Sequence, residues 1–225
     1  MLTIVAPVYN NASSLEALRD RVKTATSGLA CEVRFVFVDD ASVDASAEVL
    51  SRMEGHEVTV FRHDTNVGQA ESTRDGLKLA TGDVIVVMDA DLQDPPEAVP
   101  SLVKELSAEN LDAVFAGRIG QYQSGLRMLA SKIYRAILMR MTDLPPGAGG
   151  FVAMTGAVAN DLATHRAERF YLVGLLGCRG YRLGAVPVQR DYRAAGQSGY
   201  SFAKRLKLGL SNLAVVFRER KRTDG

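Results

Sequence analysis

The chain is short of several things that would each have pointed to a function. Its 225 residues include two cysteines, Cys31 and Cys178, far apart and each with apolar neighbours. That argues against a disulfide scaffold or a cysteine-held metal, and predicts two buried free thiols in a reducing compartment. Basic residues number 27 against 26 acidic, a formal charge of +1. So even a balance makes no global field for nucleic acid, and any basic patch has to be local. No window reaches the roughly 18 uninterrupted apolar residues of a membrane span, and the opening MLTIVAPVYNN lacks the basic and apolar regions of a signal peptide. The sequence therefore predicts a cytoplasmic chain that does not cross a bilayer. Also missing are GxGxxG after the first candidate strand and GxxxxGKS/T anywhere, which removes the main support for dinucleotide and P-loop readings.

What is present is an ordinary globular composition, 47% hydrophobic and 24% charged, in a length suited to one well-buried domain with an appended tail. The first half alternates β-rich runs with helical patterns, the rhythm of parallel βαβ units. Strands are predicted at 2–9, 33–40, 57–64, 83–91 and 112–118, and helices at 13–27, 44–54, 69–81 and 97–108. The first, second and fourth strands are nearly continuous apolar runs, as strands covered on both faces should be. The expected fold class is α/β, a mostly parallel sheet flanked by helices. Ser13 or Ser14 suits the cap of the first helix, with Glu16 in its opening turn, and Asp44 suits the cap of the second. The second half is less regular. A basic helical stretch (124–141), a Gly/Pro turn (144–150), the run FVAMTG (151–156), a helix (157–164), an irregular stretch (167–180) and a segment at 181–193 precede a helical tail from Ser201.

In a doubly wound sheet, ligands sit beyond the carboxyl ends of the strands, where helix N-termini and loop backbones converge. Three candidate strand ends carry polar groups: PVYNN, VDDAS and MDADLQDPP. Asp89 and Asp91 are two apart on a segment read as extended, so their carboxylates leave from one side and Gln93 continues the row. Two carboxylates and an amide oxygen make a hard, partial shell for Mg2+ or Mn2+, with positions left for water and substrate phosphates. Asp94, just before Pro95 and Pro96, suits the cap of the next helix. Of Asp39 and Asp40, one is expected to meet the backbone of the helix near Asp44. The other would then hydrogen-bond a base or ribose.

Residues 5–118 carry VAPVYNN, VDDASVDAS, NVGQAESTRDGLKLATGDVIVVMDADLQDPPE and DAVFAGR in order. These resemble the family 2 glycosyltransferases of the GT-A fold, and within them the branch of dolichol- or polyprenyl-phosphate mannose and glucose synthases. The resemblance implies a Rossmann-like GT-A catalytic domain over 1–200, with a nucleotide-sugar half (1–118) and an acceptor half (119–200), followed by a basic tail (201–225). It implies that Pro7, Tyr9, Asn10, Asp39 and Asp40 line the base and ribose pocket. Asp89, Asp91 and Gln93 would take the metal and the donor diphosphate, with Asp91 at the reacting centre. The implied reaction is inverting transfer from a UDP- or GDP-sugar, a divalent metal stabilising charge on the leaving diphosphate. Arg118, Arg127 and Ser131 fall where that branch gathers donors for an anionic acceptor. Arg190, Arg193 and Ser198, in QRDYRAAGQSGYSF, resemble its closing loop over the donor.

The chain departs from the branch on the acceptor side. Gly150 and Val152 of GGFVAM stand where GDFRLM is usual, Gly199 replaces a lysine, and Asn11 stands where glutamate is common. Glu168 and Arg169 of AERF still resemble the branch. No second-half aspartate stands out as a base, and a phosphate acceptor, already anionic, needs only positive groups to place it. A polyprenyl phosphate is thus the expected acceptor, with a sugar, small-molecule or protein hydroxyl as the alternative and a catalytically weakened nucleotide-sugar binder as a third reading. A nucleotidyltransferase would need a glycine- and basic-rich loop that the first strand end lacks. In the tail, Phe202, Leu206, Leu210, Leu213 and Phe217 recur at helical spacing among Lys204, Arg205, Lys207, Arg218, Arg220, Lys221 and Arg222. Such a helix either lies on the anionic cytoplasmic face of a membrane or packs on the core.

Overall fold

Runs of apolar residues too short for membrane spans become the middle of a sheet. The computed structural model describes residues 1–119, 134, 136–165, 169–189 and 202–223. Four strands, β1 (Leu2–Val8), β2 (Val33–Asp39), β3 (Val58–Arg62) and β4 (Val84–Val87), pair in parallel. Three more, β5 (Ala113–Ile119), β6 (Val152–Thr155) and β7 (Leu183–Gln189), complete a seven-stranded sheet in the order β3-β2-β1-β4-β6-β5-β7. β6 runs against both β4 and β5, while β5 and β7 are parallel.

Because strand side chains alternate, each central strand feeds two cores. Ile4, Phe35, Val86 and Val114 face α1 (Leu15–Thr26), α2 (Ser46–Met53) and α4 (Val99–Ala108). Val5, Val36, Ile85 and Phe115 face the opposite layer. That layer holds α3 (Gln69–Leu79), α5 (136–141), α6 (Gly156–Thr164), α7 (Leu172–Cys178) and α8 (Phe202–Thr223). Fully buried side chains such as Phe35, Phe37 and Phe115 each contribute about 2–3 kcal/mol of transfer free energy. Gly76 lets α3 lie close on the sheet, since a Cβ there would stand 2.5 Å from Val5 Cγ1 and 3.2 Å from Val38 Cγ2.

Several expectations need correcting. β4 ends at Val87 rather than Asp91: Met88 N–H still reaches the Val5 carbonyl at 3.1 Å, then the chain turns at Ala90 and Asp91, with Leu92 at φ 59°. The helix after it opens as a 3-10 turn at Pro96–Ala98, with Pro95 rather than Asp94 in the cap position, and Asp94 is buried. The stretch expected to be irregular contains α7. Its glycines are contact points instead of breakers, a Cβ on Gly177 meeting Leu144 Cγ at 2.6 Å and one on Gly174 meeting Val216 Cγ2 at 2.8 Å. Cys31 is exposed rather than buried; Cys178 is half-buried, and burial pushes its thiol up to about 11.

Among the described side chains, the face by which the tail helix packs on the body shares only Leu213 with the expected apolar stripe, and the side chains of Phe202 and Leu206 lie outside those described. Val215, Val216 and Glu219 of α8 are buried, and Leu213 is half-buried against the same core, while Leu210 (62%) and Phe217 (53%) remain exposed. His165 Nε2 lies 2.9 Å from Glu219 Oε2, and the Cys178 thiol points at the Val216 carbonyl. No helix among the described residues is long and apolar enough to cross a membrane.

Candidate active site

The sheet reverses its winding direction between β1 and β4. The chain proceeds from β1 outward to β2 and β3, then returns to place β4 on the other side of β1, and a crevice opens at the carboxyl ends of such neighbours. The ladder between β1 and β4 stops at Val5 and Val87, whereas β1 keeps pairing with β2 to Val8 and Asp39. Pro7, buried and without an N–H, falls in the part of β1 that β4 has left, where a proline costs no ladder bond.

Two loops at this edge are sewn together. Asn10 N–H donates to Ser42 Oγ (3.0 Å) and Asn10 Oδ1 accepts from Val43 N–H (2.9 Å). Asn11 N–H donates to Ser46 Oγ (2.9 Å), and Ala12 N–H to Asp44 Oδ2 (3.2 Å). Asp44 Oδ1 takes the N–H of Ser46, the first residue of α2, and so caps that helix from two positions ahead at 2.9 Å. Burial opposes ionisation of Asp44, but the hydrogen bonds from Ser46 and Ala12 outweigh it and hold the carboxyl below its usual range. Asn10 (φ 56°), Ala41 (φ 56°) and Leu92 (φ 59°) are all left-handed. One lies after each of β1, β2 and β4, and such non-glycine conformations cost on the order of 1–2 kcal/mol apiece.

The two acids ending β2 divide their work. Asp40 is spent on structure: Oδ1 accepts Val67 N–H at 2.8 Å and Oδ2 accepts Gly68 N–H at 2.9 Å, on the loop before α3 rather than on the helix near Asp44. Asp39 is fully buried, and its Oδ1 accepts Ser42 N–H at 3.0 Å. Its Oδ2 lies 3.3 Å from Arg62 Nε, close enough for ion pairing but out of line for a hydrogen bond. Asp39 Oδ2 is thus a buried carboxylate oxygen with charge compensation and no aligned donor among the described residues. Tyr9, half exposed at 49%, stands at the same edge.

Across the crevice, the Ala90–Asp91 turn breaks the expected extended row. Asp91 folds onto Gln93, accepting its backbone N–H at 3.1 Å and its side-chain amide at 2.8 Å, so in this conformation Gln93 is a donor to Asp91. Asp89 Oδ1 accepts Gln69 Nε2 at 2.5 Å, and the Ala90 carbonyl accepts Ser14 Oγ at 2.6 Å. Ser14 is the N-cap residue of α1, yet its hydroxyl caps nothing and instead ties the helix start to the acidic turn. Neither Gln69 nor Ser14 was singled out by sequence for this site. Gln69 carried one signal, its place directly after Gly68 in NVGQ at a helix start. Among the described residues no three His, Cys, Asp or Glu side chains gather into a complete metal site. Two hard carboxylates at one turn fit a cation that draws its other oxygens from water and a diphosphate.

Of the remaining expected residues, Arg118 lies in β5 opposite Val188, and its side chain is outside the described residues. Arg127, Ser131, Glu168, Arg190, Arg193, Ser198 and Gly199 also lie outside them. Val152 is a core residue of β6, fully buried between Val87 and Phe115. Gly150 precedes β6 by two residues, outside its ladder with β4, and a Cβ on Gly150 would meet nothing described within 4 Å.

Solved structures share this architecture. A mannosyltransferase from Pyrobaculum calidifontis, PcManGT, determined with GDP-Man and Mn2+, superposes with a TM-score of 0.67 at 21% identity, over 96% of this chain and 64% of that one. This chain therefore spans less than two thirds of that protein. Glucosyl-3-phosphoglycerate synthase from Mycobacterium tuberculosis, with Mn2+, UDP-Glc and phosphoglyceric acid, gives 0.71 at 18% identity over 98% and 80%. TarS (1–349) from S. aureus with UDP-GlcNAc gives 0.59 at 14% over 94% and 66%. These likenesses establish the expected α/β GT-A fold. The family model described as Glycosyl transferase family 2 matches residues 3–158, from the second residue of β1 into α6, and the chain belongs to that family.

Proposed function

We propose that the chain is an inverting, metal-dependent glycosyltransferase that moves a sugar from a UDP- or GDP-sugar to a polyprenyl phosphate. The observation that carries this reading is that a buried carboxylate oxygen without an aligned donor among the described residues, Asp39 Oδ2, ends β2 while the Asp89/Asp91 turn follows β4, both at the carboxyl edge where the sheet reverses its winding. Asp39 accepts an N–H from the base, and Tyr9 offers its ring as a wall beside it; Pro7 and Asn10 shape the strand end beneath. Asp40 acts through the backbone of Val67 and Gly68, keeping the rim of the pocket in place. Mg2+ or Mn2+ held by Asp89 and Asp91, with Gln93 beside them, supplies Lewis-acid stabilisation of the departing nucleotide diphosphate. Arg118, Arg127 and Ser131 are assigned to placing the anionic acceptor, and Arg190, Arg193 and Ser198 to closing over the donor. The fold neighbours solved with GDP-Man, UDP-Glc and Mn2+ support the donor and metal assignments.

A lipid acceptor is supported by α8. Leu210 and Phe217, seven residues apart and so on one helix face, stay exposed, with Arg218, Arg220, Lys221 and Arg222 at the same end. Lys221 Nζ lies 4.8 Å above the Phe217 ring, an apolar surface with a basic rim suited to an anionic bilayer. The hydroxyl-acceptor alternative is favoured by one observation: at Gly150, just before β6, a Cβ would meet no described atom within 4 Å, so the glycine that stands where the lipid-phosphate branch usually has aspartate leaves room for another acceptor. Labelled UDP- and GDP-sugars with Mn2+ and either undecaprenyl phosphate or soluble acceptors decide between the two. Transfer only to soluble acceptors would sink the lipid reading, and transfer or donor hydrolysis of any kind would dispose of the weakened-binder reading. Asp91→Ala should abolish turnover.

A further inference from the structure

Resting on that donor and metal assignment, we propose that Gln69 is a positioning residue, its side-chain amide fixing the Asp89 carboxylate and tying it to the base-reading end of β2. The residues 66–69 form a short bridge between the two. Asn66 Nδ2 donates to the Asp40 carbonyl at 3.2 Å, and the N–H groups of Val67 and Gly68 donate to the Asp40 carboxylate at 2.8 and 2.9 Å. Gly68 adopts φ 94°, a turn open to glycine, and the next residue begins α3 with its amide 2.5 Å from Asp89 Oδ1. α3 in turn is seated on β1 and β2 at Gly76. Gln69 is thus anchored in front by Asp40 and behind by its helix.

The chemistry of the contact suits positioning. A carboxylate has about four acceptor directions, and a fixed N–H on one of them orients the group at the cost of that direction alone. The amide is neutral, so the charge of Asp89 is kept; a lysine would cancel it and a glutamate would repel it. Gln69 is exposed, and an exposed hydrogen bond of this kind contributes little to folding. A merely structural side chain would therefore be nearly silent in every measurement.

The test is calorimetric titration of Mn2+ into the full chain at saturating UDP and, separately, GDP, with nucleotide binding also measured in EDTA. Gln69→Ala should weaken Mn2+ binding about tenfold, as loss of a partner behind a metal ligand does, with metal-free nucleotide affinity and melting temperature unchanged. Gln69→Glu should weaken Mn2+ binding at least as much. Unchanged or tighter Mn2+ binding in Gln69→Ala overturns the proposal, and tighter binding in Gln69→Glu does so too, since the side chain would then be a ligand. If the unaltered chain binds Mn2+ with neither nucleotide, the parent assignment falls with it; a metal-binding chain indifferent to Gln69 rejects this proposal alone.

Discussion

Asn10, Ala41 and Leu92 hold the left-handed backbone after β1, β2 and β4, three strands that are neighbours in the sheet. Asparagine tolerates that conformation through its own hydrogen bonding, here to Val43 N–H, but alanine and leucine have no such compensation. Their strain is carried by the sewn loops around them, which is how a site stays fixed against its local preference. Ala41→Gly should therefore stabilise the fold by about 0.5–1 kcal/mol, read as a higher midpoint in urea, because glycine takes φ 56° without a Cβ clash. A lower midpoint would mean that Ala41 is not strained. The same residues mark the limit of what could be read from sequence. The acids of VDDAS and MDADLQDPP are recognisable by type and place. A leucine at φ 59° leaves no signal, so the turn that folds Asp91 onto Gln93 was read as an extended row. Nor does spacing tell that Asp40 is occupied by Val67 and Gly68 while Asp39 Oδ2 has no aligned donor among the described residues.

Elements were legible where burial imposes a period. The helices α1 to α4 and the strands β2 and β3 fall close to the predicted spans because their apolar faces must meet a parallel sheet, while β4 starts as predicted and ends four residues early. α7 was not legible, since its glycines signal breakage in sequence but serve contacts with Leu144 and Val216 that only the fold creates. Gly76 of α3 belongs to the same class. Gly76→Ala would gain about 1 kcal/mol of helix propensity yet drive a Cβ to 2.5 Å from Val5 Cγ1. Displacement of the helix should dominate, with a net loss of about 1–3 kcal/mol in chemical denaturation. Behind α7, Asp161 of α6 accepts two hydrogen bonds from Arg179 Nη2, at 2.9 and 2.7 Å, and one from the Tyr181 hydroxyl. Partial burial opposes ionisation, but the Tyr181 and Arg179 contacts prevail and hold the Asp161 carboxyl below its usual range. A depressed carboxylate contributes stability above its unfolded value, about pH 4, and loses it as pH falls through the lower folded value. Asp161→Asn should therefore cost stability at pH 6 and progressively less toward pH 2–3, measured by thermal melts across that range. An equal cost at both ends would assign the effect to packing instead.

Sequence periodicity is strong in the first half of the molecule and weak in the second, and the topology explains why. Three of the first four strands are central and parallel, whereas β6 is four residues long and antiparallel and β7 is an edge strand bearing Gly184 and Pro187. Short, glycine-bearing segments have weak periodicity, and their place is set by partners far away in sequence. The described residues of the two halves nonetheless share one sheet. Each face of the sheet carries a core that crosses the boundary, Val86 with Val114 and Ala153 on one side, Ile85 with Phe115 and Met154 on the other. α8 closes over the second core with Val215 and Val216. The seam itself is tight where β6 passes into α6: Gly156 N–H donates to the Asp83 carbonyl at 2.8 Å, and a Cβ on Gly156 would collide with the Gly82 carbonyl oxygen. Backbone cannot yield there as a flexible side chain would, so Gly156→Ala should cost about 3 kcal/mol. For a chain of this length that corresponds to roughly 6–12 °C in melting temperature. Calorimetry should show one transition before and after the substitution, merely displaced, because both cores depend on the same joint. A first half that keeps its own melting temperature while the second melts early would show instead that the two halves fold as separate units.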